Sequence, residues 1–451
     1  MTSLPVTGLP ISAEVLGTCH HDCPDSCGWI ATVDDGVVTR LRGNPSHPYS
    51  RGELCPKVNR FVDRVYSPER ILTPLLRTGD KGAGDFRPAS WDEALALIST
   101  RIREAIGRHG GETVYPWWDA GNQSSLSIGS LHRRFLSRLG SSRLTGSLCG
   151  DSAREGVAAT YGSGRGMDPL DVRNSRLILL WGTNTRLTNR HLWPFVEEAR
   201  ANGARVVVID PISTITAESA DLHLQPLPGT DVALMLSMMH VLVRDDLIDH
   251  DYLDRHTVGF EQLAERVAGW PPDRGADLCG VAADEIERLA LDYGSTRPVA
   301  IRTLIGAEHR EHGAMIFRTM ACLPLLVGAW RDLGGGLCRS VGTWTRQAID
   351  AAALAGPNLG ASQSRRGLNM NHLGRHLTDA DLDPPVTVLL AWNGNPLVST
   401  PNAELIRRGL ERDDLFTVVH EQFMTDTARY ADVVLPATTQ LEQLDVVPSW
   451  G

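Results

Sequence analysis

The chain has 451 residues, more than one hydrophobic core ordinarily serves, so several domains are expected. With 42% hydrophobic and 22% charged residues it has the composition of a soluble globular protein. A formal net charge of −10 argues against nucleic acid as the main partner, because phosphate binding needs a surplus of Lys and Arg, although a local basic pocket for a phosphorylated cofactor is compatible with it.

The N-terminal stretch MTSLPVTGLPISAEVLG has no basic start, apolar h-region or twin arginine. No apolar run approaches the roughly 20 residues that span a bilayer. The expectation is a cytoplasmic protein with no direct membrane span. In that compartment eight cysteines point to metal or redox duty before disulfides.

Four of the eight lie near the start: Cys19, Cys23 and Cys27 in CHHDCPDSC, and Cys55 in LCPK. Three thiolates on a short loop and a fourth returning from a distance can grip a compact cubic cluster, and four-cysteine ligation is what [4Fe–4S] centres use. Zinc is the alternative, but structural zinc prefers paired CxxC knuckles, and these cysteines are split three and one. His20 and His21 could be ligands, but adjacent residues point in different directions, and one or both read as surface residues. WIATVDDGVVTRLRG alternates and breaks at Asp34-Asp35-Gly36, a hairpin pattern that would carry Cys55 back beside the triplet. Lys57 either places a cation near the cluster or is a solvated lysine.

Further on, Ser90-Trp91-Asp92-Glu93 is a capping box, with Ser90 as N-cap. The helix it opens, to about Arg108, sets Leu95, Ile98, Ile102 and Ile106 on one face and ends before Gly110-Gly111. Buried strands are expected at Leu177–Trp181, Val206–Asp210, Val386–Trp392 and Phe416–His420. Short apolar runs bounded by turn residues, with helices between them, indicate an α/β fold with mostly parallel sheets. Gly162-Ser163-Gly164-Arg165-Gly166 is not a G-x-G-x-x-G signature and reads as a loop, and there is no Walker A pattern.

An internal repeat is the most informative feature. LILLWGTN ends at Asn184, and VLLAWNGN ends at Asn395, 211 residues later. At the same offset Asp210 matches Glu421, and TITAESAD (214–221) matches TDTARYAD (425–432). Two related α/β units therefore carry the same polar groups at strand carboxyl ends, where open α/β sheets bind ligands. Gly-Thr-Asn and Asn-Gly-Asn turns let backbone approach a ligand, and Asn side chains offer a donor and an acceptor. A carboxylate at the next strand end can accept from an amino group or a ribose hydroxyl. Pro228-Gly229-Thr230-Asp231 adds a second tight turn to the first unit. Two equivalent sites imply two equivalent nucleotide groups.

An N-terminal cysteine quartet followed by duplicated nucleotide-binding units resembles the dimethyl-sulfoxide-reductase family of molybdenum and tungsten enzymes. CHHDCPDSCG, LCPK, WGTN, VIDP with TITAESAD and PGTD, WNGNP, and TDTARYADVVLPATTQLE look like that family's blocks in its order, from about residue 17 onward. The resemblance implies one Mo or W held between two molybdopterin guanine dinucleotides. It implies that Cys19, Cys23, Cys27 and Cys55 hold a [4Fe–4S] cluster and that Lys57 lies between cluster and pterin. Gly182, Asn184, Asp210, Gly229 and Asp231 would contact one guanosine diphosphate. Gly394, Asn395, Glu421 and Asp426 would contact the other. Within TGSLCGDSAREG, Cys149 falls where the family has a metal ligand, and a soft thiolate suits Mo or W; Ser147, Asp151 and Ser152 are rival ligands. Cys279, Cys322 and Cys338 read as structural. The implied domains are a β-rich iron–sulfur domain at 1–68, an α/β domain with the first guanosine site at 143–296, and a discontinuous one with the second site at 69–142 and 297–451.

The implied activity is a two-electron redox step, oxygen-atom or hydride transfer, on a small-molecule substrate. Electrons would leave through the cluster to a redox partner subunit or a soluble carrier. The alternatives are a hydratase-like member without net redox, a metal-free iron–sulfur scaffold subunit, and an inactive fragment. Two departures bear on this. Gly150 follows Cys149 where the family's formate dehydrogenases usually have His, and the chain ends before the family's C-terminal β-barrel. His191, His309 and His312 could transfer protons but read as surface or satisfied histidines.

Overall fold

Asp35 and Gly36 both take left-handed backbone, with φ of 49° and 81°, the pair of positive values that a two-residue type I′ turn needs. The computed structural model, which describes residues 12–162, 166–340, 346–355 and 365–448, accordingly forms the expected hairpin there. The glycine-rich loop reading falls on residues 163–165, outside the described residues. In chain order the strands are β1 (Ser12–Thr18), β2 (Gly28–Asp34), β3 (Val37–Gly43), β4 (Leu75–Arg77), β5 (Phe86–Pro88), β6 (Val114–Trp118), β7 (Arg143–Thr145) and β8 (Leu177–Trp181). They continue with β9 (Arg205–Ile209), β10 (Leu222–Leu224), β11 (Val299–Thr303), β12 (Gly336–Cys338), β13 (Gly367–Asn369), β14 (Val388–Trp392), β15 (Phe416–Glu421) and β16 (Val433–Pro436). The helices that matter for the site are α1 (Trp91–His109), α2 (Asp151–Tyr161), α3 (Asp231–Arg244) and α4 (Gly313–Leu326).

The chain divides into two units. One takes the chain up to Asp22, Ser26–Leu148 and Ile349–Pro448; the other takes Cys23–Asp25 and Cys149–Ala348. The first unit contains the three-stranded sheet β1-β2-β3, the pair β13-β7, and a six-stranded sheet in the order β5-β4-β16-β15-β14-β6. The last four of those strands are parallel. Side chains alternate along them, so Val114 and Val388 join a core on one face while Tyr115, Trp117 and Leu389 join another on the opposite face. α1 covers the former. Ser90 Oγ accepts from the Glu93 N–H at 3.1 Å, as the capping box requires. Ala94 and Ile102 are buried, with Ile98 and Ile106 packed beside them, but Leu95 is 50% exposed. At about 100° per residue Leu95 lies on the same face as Ile102 and Ile106, but it stands close to the N-terminal end of the helix.

The second unit is built on a fully parallel sheet in the order β10-β9-β8-β11-β12. Every residue of β8 is buried, as a sheet covered on both faces requires. α3 buries most of its length against this sheet. α2 presses onto α4 at Gly156, where a Cβ would lie 2.2 Å from the Ala314 carbonyl oxygen.

The repeated segments occupy the same sheet positions: β8, β9 and β10 match β14, β15 and β16. The strand on the other side of the first of each set differs in origin. β11 follows its partners in the chain, whereas β6 precedes its own. The segment after residue 296, expected with the second guanosine site, therefore supplies β11 and β12 to the sheet of the first, with β11 paired to β8 along five residues.

Candidate functional site

The duplicated blocks build the same turn twice. Gly182 and Asn393 hold left-handed φ of 59° and 58° at the carboxyl ends of β8 and β14. Asn184 Oδ1 accepts from Thr216 Oγ1 at 2.7 Å, and Asn395 Oδ1 accepts from Thr427 Oγ1 at 2.6 Å. Each threonine oxygen in turn accepts a backbone N–H, that of Arg186 or Leu397, at 3.0 Å. Asp221 Oδ2 accepts the Val206 N–H and Asp432 Oδ2 the Thr417 N–H, both at 2.7 Å. The repeat thus codes a clasp between two loops at a strand end. The amide oxygens of Asn184 and Asn395, expected to face a ligand, serve this clasp, and the Asn395 amide nitrogen lies 3.4 Å from Asp426 Oδ2.

At the carboxyl edge of the five-stranded sheet, Asp231 opens α3, and its Oδ1 accepts from Trp181 Nε1 at 2.7 Å. Burial raises the Asp231 pKa, while the Trp181 hydrogen bond and the Arg310 charge oppose that shift and Asp210 adds to it. Asp210 and Arg310 are therefore neighbours of Asp231. Gly229 has φ of 85°, and a Cβ there would lie 0.9 Å from Arg310 Nη1, so a guanidinium lies over the bare backbone of the PGTD turn. Arg310 went unremarked in the sequence because nothing in GAEHREHG marks it locally; only the fold brings it to Gly229.

Gly394, Asn395 and Glu421 line a cavity of about 430 Å³ in the first unit, with Arg64, His21 and Trp392. Asp426 is not among its lining residues; its Oδ2 lies 3.4 Å from Asn395 Nδ2. A Cβ on Gly394 would meet Trp117 at 2.8 Å. Trp392 stacks on Trp118 with ring centroids 5.0 Å apart. Burial raises the Glu421 pKa and lowers that of His420. Gln443 also lines the cavity, and its buried Nε2 has no partner among the described residues. A buried amide donor and a carboxylate at one wall fit a ligand that presents both acceptors and donors, as a guanosine does.

Cys19 and Cys27 are buried with Trp29, Leu54 and Val58 in one small core, and Cys55 packs against it. The Cys19 N–H donates to the Cys27 carbonyl at 2.8 Å, and the Cys55 carbonyl accepts from Val58 and Asn59 at 3.0 Å. The soft sulfur donors of Cys19, Cys27 and Cys55, gathered about one small core, fit an iron–sulfur cluster. Lys57 lies exposed in the short helix Pro56–Asn59. His20 is buried, not superficial as expected, because its backbone N–H is bonded to Gln440 Oε1 from the far end of the chain. Burial is the main cause holding both His20 and His21 down at about 4, so both are neutral at pH 7.

Cys149 is half-buried, in a loop held from one side by two residues the sequence did not flag. The buried Glu308 carboxylate accepts from the Ala153 N–H in the first turn of α2 at 2.7 Å and pairs with Arg339 at 3.0 Å. The same Arg339 nitrogen donates to the Gly150 carbonyl at 2.9 Å. A Cβ at residue 150 would lie 2.6 Å from that nitrogen, so a side chain there would push the guanidinium aside. Arg339 Nε is buried without a partner among the described residues. Of the rival ligands, Asp151 pairs with Arg154 at 3.0 Å and Ser152 is exposed. His309 and His312 are exposed, whereas His191 is buried against Asp25. Burial raises the thiol pKa of Cys279, Cys322 and Cys338, as for inert core cysteines.

Two parallel α/β units with matching clasps at their strand ends, preceded by a small cysteine-bearing sheet, define a dinucleotide-cofactor and iron–sulfur class of protein. The family model for molybdopterin oxidoreductase matches residues 70–448, and that for the molybdopterin oxidoreductase Fe4S4 domain matches residues 13–67. The chain belongs to the molybdopterin oxidoreductase family, the one its motifs resemble. Those two models carry the cofactors with them, a [4Fe–4S] cluster and a molybdopterin with Mo or W. The probable oxidoreductase YoaE of Bacillus subtilis (strain 168) is 40% identical over 432 residues, covering 96% of this chain and 63% of that protein. The dimethyl sulfoxide reductase DmsA of Escherichia coli (strain K12) is 28% identical over 479 residues, covering 96% and 59%. In fold, the chain is similar to acetylene hydratase from Pelobacter acetylenicus, with a TM-score of 0.75 at 24% identity over 93% of this chain and 62% of that one. The chain thus spans a little under two thirds of the length of these proteins. Among the described residues no helix is long and apolar enough to cross a membrane.

Proposed function

We propose that this chain is the catalytic chain of a molybdenum- or tungsten-dependent oxidoreductase that performs a two-electron reaction, oxygen-atom or hydride transfer, on a small molecule. The observation that carries the reading is the doubled clasp: Asn184 with Thr216 and Asn395 with Thr427 hold identical turns at the carboxyl ends of two parallel sheets. One cofactor with two guanosine arms is the ligand that two such turns suit. When bound, the molybdopterin metal supplies the two-electron chemistry. The residues bind and orient. Asp210, Gly229 and Asp231, with Arg310 above them, receive one guanosine diphosphate. Gly394, Asn395 and Glu421 in the cavity, with Asp426 beside them, receive the other. Cys149 offers the protein's thiolate to the metal from a loop that Glu308 and Arg339 keep in place.

Cys19, Cys23, Cys27 and Cys55 would hold the cluster, with Lys57 between it and the pterin, and a redox partner subunit or soluble carrier would take the electrons. Elemental analysis of the anaerobically purified protein for Fe, Mo and W, with turnover assayed by redox dyes, tests this. Iron together with Mo or W, and dye-linked turnover abolished in Cys149→Ala, is the expected result. Iron alone would leave the scaffold reading, and metal without dye-linked turnover the hydratase reading.

A further inference from the structure

The loop that carries Cys23 and Cys27 is anchored by a buried residue between them. Asp25 Oδ2 accepts from His191 Nδ1 at 2.7 Å and from the His191 backbone N–H at 3.3 Å. A carboxylate only accepts, so Nδ1 carries the imidazole proton. Asp25 Oδ1 accepts from Asn189 Nδ2 at 2.5 Å. Asn189 Oδ1 then accepts two N–H groups of Arg302, Nη2 at 2.6 Å and Nε at 3.1 Å. The remaining Arg302 nitrogen, Nη1, reaches Cys338 Sγ at 3.2 Å and the Arg339 carbonyl at 3.2 Å. Asp25, His191, Asn189 and Arg302 are each at most 3% exposed.

Among the described residues the Arg302 guanidinium meets no carboxylate directly, and the Asp25 carboxylate lies one amide away from it, while Asp168 and Asp171 act with it on Cys338. A buried cation and anion that share one bridging amide act through a poorly screened interior, so removing either leaves the other's field uncompensated. The next residue, Ser26, is held at a left-handed φ of 42°, a conformation that a non-glycine residue keeps only when its surroundings impose it.

We infer that the Asp25–His191–Asn189–Arg302 chain is a positioning device for the cysteine loop, and that its balance of charge sets the reduction potential of the [4Fe–4S] cluster. Charge and hydrogen bonding around the sulfurs are the levers by which a protein tunes such a cluster. The inference rests on the assignment of Cys19, Cys23, Cys27 and Cys55 as ligands. The iron content and cluster spectrum of the unaltered chain test that assignment separately.

The experiment is an EPR-monitored redox titration of the iron-loaded chain and its variants. Asp25→Asn removes the anion and favours the reduced cluster, so its midpoint potential should rise. Arg302→Gln removes the cation and His191→Leu removes the imidazole donor to Asp25; both should lower it. Opposite shifts of this kind are not produced by a residue that merely holds the fold together. If Asp25→Asn fails to load iron, the two lowering variants decide. Unchanged potentials or shifts all of one sign would overturn the proposal; loss of the cluster from all three variants, while the iron-free chains melt as the parent does, is the result a positioning device gives.

Discussion

Replacing Glu308 by Ala leaves the Arg339 guanidinium without its partner and the first turn of α2 without an acceptor for the Ala153 N–H. The Glu308 side chain is 1% exposed and that of Arg339 14%. Breaking a buried pair by removing one member costs about 3–5 kcal/mol. Arg339 keeps its bond to the Gly150 carbonyl and a little access to water, which puts its share at the low end. A charge-assisted hydrogen bond to a buried amide adds about 1.5 kcal/mol. The expected loss is therefore about 4 kcal/mol. In a cooperative unit of roughly 150–250 residues that lowers Tm by about 8–16 °C. Urea titration followed by far-UV circular dichroism measures it directly. A Glu308→Ala/Arg339→Met double variant should recover more than half of the loss, because replacing both members by apolar groups removes the stranded charge. The Cys149 loop is loosened at the same time, so Mo or W content should fall while iron stays. A single-variant cost under about 1 kcal/mol, or a double variant as unstable as the two singles added together, would refute the clasp as the anchor of this loop.

Burial raises the Asp231 carboxyl above its ordinary value of 3.8, so the folded chain holds that proton more tightly than the unfolded one. Stability is therefore lost as pH climbs from 3.8 through the raised value and does not return above it. Asp231→Asn, which keeps an acceptor for Trp181, should melt higher than the parent near neutral pH, with the gain vanishing below the ordinary Asp pKa; a pH-independent difference would contradict the assignment. Thr216→Val and Thr427→Val each remove the donor to an Asn Oδ1 and strand a backbone N–H, so each should cost about 1–3 kcal/mol by denaturant titration. Thr427→Val should cost less, since Asn395 Oδ1 keeps the Thr427 backbone N–H at 3.1 Å; an equal or larger cost there would contradict this account of the clasp. Gly156→Ala drives a methyl against the Ala314 carbonyl and should cost about 1–3 kcal/mol, read as a lower urea midpoint.

Much of the architecture was legible where the chemistry is local. Asp35-Gly36 demands its turn because few residues accept two successive positive φ values. Leu177–Trp181 is a strand because an apolar run of five residues between polar turns is short for a helix and suits a strand covered on both faces. β6 and β11 escaped notice for the opposite reason. The first has Pro116 at its centre, and the second has Arg302, a charge in a fully buried strand. That arginine is tolerated only because Asn189 and the Cys338–Arg339 backbone receive its hydrogens, which no local pattern announces. His20 was misplaced likewise, by a bond to Gln440, and Leu95, on the buried face by rotation, stands exposed close to the N-terminal end of its helix.

By itself, the sequence determined the cysteine quartet, the doubled register of WGTN and WNGN, and the carboxylates that follow each, because these are spacings along a single chain. Tertiary structure decided what fills the space around them: Arg310 over Gly229, Arg339 over Gly150, Arg302 behind Asp25, and whether the fourth strand of each sheet comes before or after its partners. Those contacts join residues tens to hundreds of positions apart. Their free energy arises only once the intervening chain has been ordered, so it leaves no periodic trace in the letters.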